Sequence, residues 1–212
     1  MNNISFTSRI NFVDRKTFDN FRRGAFVDFR PQCVTEGFDI NLDKSKGFVN
    51  DKLCMVKADE FFTEGVRTCT AGGLVDSKSG VAIGFHYYDD LANLNSVDKF
   101  IKKIFSMVPN PDKALILGSK DLKFSTYSLP IFKKIQEAIS SKVANISIFK
   151  EHIFPFSETH LHYSLKDDSW TINSMYRPLT DIQEFDVLSE DIMKKCFKEV
   201  SISKGDNLYF SA

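Results

Sequence analysis

Two short apolar runs separated by turn-forming residues constrain this chain more than any other feature. Cys69-Thr-Ala-Gly-Gly-Leu-Val75 and Val81-Ala-Ile-Gly-Phe-His-Tyr-Tyr88 flank Asp76-Ser-Lys-Ser-Gly80. Runs of this length, joined by a five-residue loop containing glycine, predict a β-hairpin. Directly opposed residues in a hairpin have numbers that sum to twice the turn centre. A centre near 78 sets Cys69 opposite Tyr87, or opposite His86 with a half-residue shift. Opposed side chains on one face have Cβ atoms roughly 4.5–5.5 Å apart, close enough for a thiol and an imidazole to share a proton. Such a thiol gains thiolate character and becomes a nucleophile. A slip of one residue would turn the histidine to the other face, where Cys and His would be ordinary packing residues.

The rest of the chain is read around that hairpin. Residues 1–50 are polar and weakly periodic, with a short helix expected from Asp14 to Arg23 and loop at Gly37, Gly47 and Asn41-Leu-Asp-Lys-Ser-Lys46. Leu53 to Val56 predicts a strand, and Asp59 to Phe62 a turn. Ser96 to Met107 has Val97, Phe100, Ile101, Ile104 and Phe105 on one helical face, with Ser96 as N-cap and Pro109 and Pro111 beyond its end. Lys113 to Gly118 predicts a buried strand. Ser128 to Ile139 predicts a helix with Pro130 in its first turn. Asn145 to Lys150 predicts a strand, and Thr159 to Asn173 a closing hairpin about Lys166-Asp-Asp-Ser169. Ser189 to Val200 predicts a last helix. This mixture makes the fold class α+β, a largely antiparallel sheet packed with helices.

Composition narrows the function classes. The 28 Lys+Arg balance 28 Asp+Glu, and no basic run exceeds two residues, so the electrostatic footprint of a nucleic-acid binder is absent. No apolar run approaches the roughly 18–20 residues of a membrane span, and the N-terminus has no signal-peptide core. The four cysteines, Cys33, Cys54, Cys69 and Cys196, show no CxxC spacing and read as reduced thiols in a cytoplasm. Delivery into another cell by a specialised secretion route would leave no such leader either.

The residues around the hairpin carry a resemblance. Thr63-Glu-Gly-Val-Arg-Thr-Cys69, followed by His86, resembles the CheD family of chemoreceptor glutamine deamidases, whose pattern is Thr-x-Gly-x-Gly-Ser-Cys, a strand, an Asp-containing turn, and a strand ending in Gly-x-Ala-His. The Thr-to-Cys spacing of six and Cys-to-His spacing of seventeen match, and Asp76-Ser-Lys-Ser-Gly80 stands where the family has its Asp-Pro turn. Ala114-Leu-Ile-Leu-Gly118-Ser is similar to the family's Lys-x-x-x-Phe-Gly-Gly strand. Arg67, Thr68 and Phe85 depart from the pattern, and Pro155-Phe-Ser-Glu-Thr-His160 stands in place of its Gly-Asn-x-Gly-Arg segment. The resemblance implies an α/β/β sandwich, shared with cytotoxic-necrotizing-factor-type deamidases, over roughly residues 53–173. It leaves 1–52 and 174–212 as extensions of a single domain.

The activity it implies is hydrolysis of a protein glutamine side chain to glutamate and ammonia, without cofactor or metal, on a partner protein that carries the target Gln. Cys69 would be the nucleophile that forms a thioester, His86 the general base and acid, and Thr63 the group that orients the imidazole. Backbone N–H groups from Thr68 to Ala71 would hold the oxyanion, with Thr68, Thr70, Ala71 and Tyr87 around the substrate. The small residues Ala71, Gly72 and Gly73 would admit the substrate backbone closely, or the glycines would simply pack a tight strand. Tyr87-Tyr-Asp-Asp90 would line the cleft or end the strand. His160 and His162 alternate on a strand, and their simplest reading is a solvated face, not a metal pair. His152 is a weaker partner for Cys69. The resemblance together with the two extensions favours a specialised deamidase, an effector acting on a host protein, and the alternatives are a chemoreceptor-type deamidase, transglutaminase-like transfer and an inactive binding module of the same fold.

Overall fold

A computed structural model describes residues 8–27, 48–50, 55–89, 91–118, 126–151, 157–176, 185–186 and 197–203. Cys33, Cys54, Cys196, His152, the expected loop at 41–46, the start of the strand expected at 53–56 and the segment 119–125 lie outside these residues.

The described chain is α+β, with two mixed β-sheets, two long helices layered on the second and a short helix on the first. The first sheet has strands β1 (Arg9–Phe12), β2 (Ala25–Phe26), β5 (Glu60–Val66), β10 (Ser157–Ser164), β11 (Ser169–Tyr176) and β12 (Phe185–Asp186). Their order is β1-β11-β10-β5-β2, with β12 also beside β11. The second sheet has β3 (Phe48–Asn50), β4 (Met55–Lys57), β6 (Thr70–Asp76), β7 (Val81–Tyr87), β8 (Lys113–Gly118), β9 (Asn145–Glu151) and β13 (Phe197–Ser203), in the order β13-β9-β8-β6-β7-β4-β3. The helices are α1 (Arg15–Asp19), α2 (Leu91–Met107) and α3 (Ser128–Ser140). None of the described helices is long and apolar enough to cross a membrane.

Strand alternation divides the core into two layers. On β7, Ile83, Phe85 and Tyr87 face α2 and α3, where they join Val97, Phe100, Ile104, Ile131, Ile135 and Ile139. Ala82 on the same strand faces the first sheet, where Phe61, Leu161, Tyr163, Trp170 and Ile172 meet Ala71, Leu115 and Leu117. The inter-sheet core is aromatic at its centre: Phe61 lies 5.6 Å from Tyr163 and 6.0 Å from Trp170 between ring centroids. Phe61 has room because Gly73 and Gly84 are paired beneath it. A Cβ on Gly84 would stand 2.3 Å from the Phe61 ring, and one on Gly73 would stand 2.8 Å from it. The small residues of the hairpin are therefore consumed by close layer packing and do not make room for a substrate backbone.

Several sequence expectations hold closely: the strand at 113–118, the helix from Ser128, the strand from Asn145 and the hairpin about 165–168. Others change. Residues 60–62 are strand, not turn, because Phe61 is needed in the inter-sheet core. Helix α2 begins at Leu91, so Ser96 lies inside it and is not its N-cap; Leu94 extends the apolar face one turn upstream. Residues 197–200 belong to β13, which pairs antiparallel with β9, so the expected last helix does not extend over them.

The N-terminal segment is also more than an extension. Strand β1 pairs in parallel with β11, and β2 pairs in parallel with β5. Between them α1, whose N-cap Asp14 accepts from the Thr17 N–H at 2.6 Å, lays Phe18 over the outer face of the first sheet.

Candidate active site

The hairpin sets the frame. Asp76 is the last residue of β6, because its Oδ1 accepts from the Lys78 and Ser79 N–H groups at 3.1 and 3.0 Å and closes the turn around itself. The loop therefore has four residues, 77–80, and the register moves to Ala71↔His86 and Thr70↔Tyr87. Neither expected partner of Cys69 is its actual one. Cys69 ends the bend at 67–69, two residues before Ala71, at the mouth of β6. Diagonal neighbours at that offset are about 7–8 Å apart in a regular ladder. Strand β6 is central in its sheet and paired on both sides, so it anchors the bend firmly.

His86 shares the face of Ala82, toward the first sheet, and is completely buried. Across the layer, β5 brings Thr63 to it: Thr63 Oγ1 lies 2.6 Å from His86 Nδ1. The local sequence makes this possible. Phe61 and Thr63 point inward at the usual two-residue spacing, but the next inward residue is Val66. The ladder with β10 shifts register between Thr159 and Leu161, and Gly65 takes a φ of +74°. This is a β-bulge whose left-handed residue is glycine, and it turns the chain toward the Cys69 bend.

Thr63 also donates to the carbonyl of Val27 at 2.7 Å. A carbonyl only accepts, and a hydroxyl has one proton, so Thr63 must accept from the Nδ1–H of His86. The chain Val27 C=O, Thr63 O–H, His86 Nδ1–H fixes the neutral tautomer with its lone pair on Nε2. Burial alone pushes the His86 pKa down to about 3, so the ring is neutral at physiological pH. The residue that completes this relay, Val27, belongs to the N-terminal segment. No sequence signal marks it, because only its backbone takes part.

The remaining expected site residues separate into two groups. Thr68 sits in the bend, and its hydroxyl donates to Asp89 Oδ1 at 2.7 Å. Ala71 shares the face of His86 but is wholly buried. Thr70 and Tyr87 are paired with each other on the opposite face, toward the helices. Tyr87 donates its hydroxyl to the Asn93 carbonyl at 2.8 Å, and the Thr70 hydroxyl is buried without a hydrogen-bond partner among the described residues. Both are therefore parts of the helix layer and do not meet His86. From Thr70 onward β6 lies within two ladders, which confines the expected oxyanion donors to the bend at 67–69.

His160 and His162 are not on a solvated face. They are 2% and 1% exposed, covered by Phe18 and Phe21 with ring centroids 5.6 and 5.4 Å away. Arg15 Nη1 stands 3.0 Å from His160 Nε2, and His162 Nε2 stands 3.0 Å from Glu60 Oε1. Burial, then Arg15 and Arg22, lowers the His160 pKa to about 3. Glu64, beside the bulge, takes Arg15 and Arg22 at 3.1 and 2.9 Å, tying α1 and its flank to β5. Among the described residues no cluster of three His, Cys, Asp or Glu side chains could hold a metal.

No family model matches the chain, and none of the curated proteins compared with it does.

Proposed function

We propose that this protein is a protein-glutamine deamidase of the CheD and cytotoxic-necrotizing-factor type, with Cys69 as nucleophile, His86 as base and acid, and Thr63 as the group orienting His86. The observation that carries the reading is the 2.6 Å contact between Thr63 Oγ1 and His86 Nδ1. Those two residues stand 23 positions apart and were paired from motif spacing. Their meeting across two sheets gives the imidazole a fixed tautomer, which a general base needs. The α+β arrangement of two sheets and helices supports the reading at the level of fold class.

In this mechanism the Cys69 thiol gives its proton to His86 Nε2 as sulfur attacks the glutamine side-chain carbonyl. N–H groups of the 67–69 bend hold the oxyanion. Imidazolium His86 then protonates the leaving ammonia, and the thioester remains on Cys69. Water, losing a proton to His86, attacks the thioester and releases glutamate and the thiol. No metal or cofactor is required by these steps. The substrate is another protein, met in the cytoplasm of the producing cell or, if the chain is exported as an effector, in that of a host.

Incubation with candidate proteins tests the reading. Ammonia release with a gain of about one dalton at a single Gln is the expected result, and activity undiminished in Cys69→Ala would refute it. An added primary amine separates hydrolysis from transglutaminase-like transfer, which would leave an amine adduct.

A further inference from the structure

Asp89 lies two residues after the last core position of β7 and accepts two hydroxyl protons, one on each carboxylate oxygen. Thr68 Oγ1 donates to Oδ1 and Ser128 Oγ to Oδ2, both at 2.7 Å. Ser128 is the first residue of α3 and is fully buried; Thr68 is the residue before Cys69. The bend at 67–69 lies outside the ladders that fix β6, and the Thr68 hydroxyl is one of the groups that place it. On one side stands the central strand. On the other stands Asp89, itself locked to the helix layer through Ser128. Helix α3 has no side-chain cap from Tyr127, so a carboxylate at its first turn is also favoured by the helix dipole.

We infer that Asp89 is a positioning residue for the nucleophile, holding the Cys69 bend against the N-terminus of α3 through Thr68. This rests on the deamidase reading for its effect on rate, but not for its effect on the thiol. Two hydroxyls donating to one carboxylate form a geometry that neither asparagine nor alanine reproduces: the amide offers a single acceptor oxygen, and alanine offers none. Releasing Thr68 removes one tether of the bend and lets both Sγ and the oxyanion donors shift relative to His86. Misplacement of reacting groups on the ångström scale lowers rate with little effect on binding.

The test compares Asp89→Ala, Thr68→Val, Thr68→Ser and the Asp89→Ala/Thr68→Val pair in the full chain. Expected are kcat losses on the order of 10- to 100-fold in the two single variants, at unchanged KM. The double variant should lose no more than Asp89→Ala alone, because that change already breaks the Thr68–Asp89 link. Thr68→Ser, which keeps the hydroxyl, should restore most of the kcat that Thr68→Val loses. In parallel, the 13Cβ resonance of Cys69 in cysteine-labelled protein is titrated with pH; its midpoint should move in Asp89→Ala and stay in Thr68→Ser. Asp89→Ala with unchanged kcat and an unchanged Cys69 titration, whatever its thermal stability, would overturn the inference. If the wild type shows no deamidation yet the titration moves as expected, the positioning role stands and the deamidase reading falls.

Discussion

The hydroxyl of Thr63 stands 2.6 Å from Nδ1 of His86 and 2.7 Å from the carbonyl of Val27, and it has one proton to give. That arithmetic decides the tautomer of a histidine with no solvent exposure. Thr63→Val keeps the shape and removes the relay, so the imidazole proton is free to move to Nε2, where it cannot accept from a thiol. On the proposed mechanism, deamidation should fall on the order of 100-fold or more. Thr63→Ser should stay within a few-fold of wild type. Nitrogen-15 correlation spectra of the His86 ring check the cause directly: the Nδ1–H form should dominate in wild type and Thr63→Ser. Full activity in Thr63→Val would remove the relay from the mechanism.

Buried histidines, His162 among them with a pKa that burial also lowers, make stability depend on acid in a particular window. His86 and His160 are both held neutral, with pKa values of about 3 in the fold, against about 6.5 in an unfolded chain. Above pH 6.5 neither state binds these protons, and stability is independent of them. As pH falls from 6.5 toward 3, only the unfolded chain is protonated, so stability drops by roughly 1 kcal/mol per pH unit for each histidine. Urea unfolding at pH 7, 6, 5 and 4 should show this decline, and His160→Gln should flatten it if the variant folds. A stability that rose on acidification through this range would contradict the neutral, buried assignment.

Lys113 and Asp168 join the two sheets at the end of the sandwich away from Cys69. Lys113 begins β8 with only 7% of its side chain exposed, whereas Asp168 is 44% exposed in the β10–β11 turn, where Ser8 also donates to it at 2.7 Å. The asymmetry of burial predicts an asymmetry of effect. Asp168→Asn strands a buried ammonium and should cost about 2 kcal/mol. Lys113→Met leaves a carboxylate that water and Ser8 still satisfy, and should cost less than about 1 kcal/mol. Adding Lys113→Met to Asp168→Asn should recover most of the loss. Denaturant titrations of the three variants measure this; equal losses in the two single variants would show that burial does not set the balance.

The hairpin, both long helices and the strands flanking them were legible because their signals are local: apolar runs, turn formers, a 3.6-residue period. The Thr63–His86 pairing was legible through motif spacing, although the register drawn from the turn was off, since nothing local says that Asp76 closes the turn with its own side chain. Tertiary decisions were the illegible part. Val27 acts through its carbonyl, which every residue has. The burial of His160 and His162 depends on Phe18 and Phe21, some 140 residues earlier, folding back over the sheet. The separation of Thr70 and Tyr87 from the site follows from strand parity, which a one-residue change of register inverts.

Cys69 is 3% exposed and is not in a disulfide. The spacing of Cys69 and His86 led to the expectation of thiolate character, whereas burial lowers the His86 pKa to about 3 and so favours the neutral imidazole. On the proposed mechanism the resting pair is thiol and imidazole, and the proton crosses only as sulfur attacks, when the developing positive charge on His86 is matched by the oxyanion. In a variant with Cys33, Cys54 and Cys196 replaced by serine, iodoacetamide at pH 7 should modify native Cys69 more slowly than the same thiol in urea. The native rate should climb with pH through the ordinary thiol range instead of holding a plateau from pH 5. Fast alkylation of native protein at pH 6 would establish a resting thiolate–imidazolium pair and reverse the order of proton transfer and attack. Slow alkylation, by the same logic, does not mark an inactive fold: it is what a base kept neutral by burial requires.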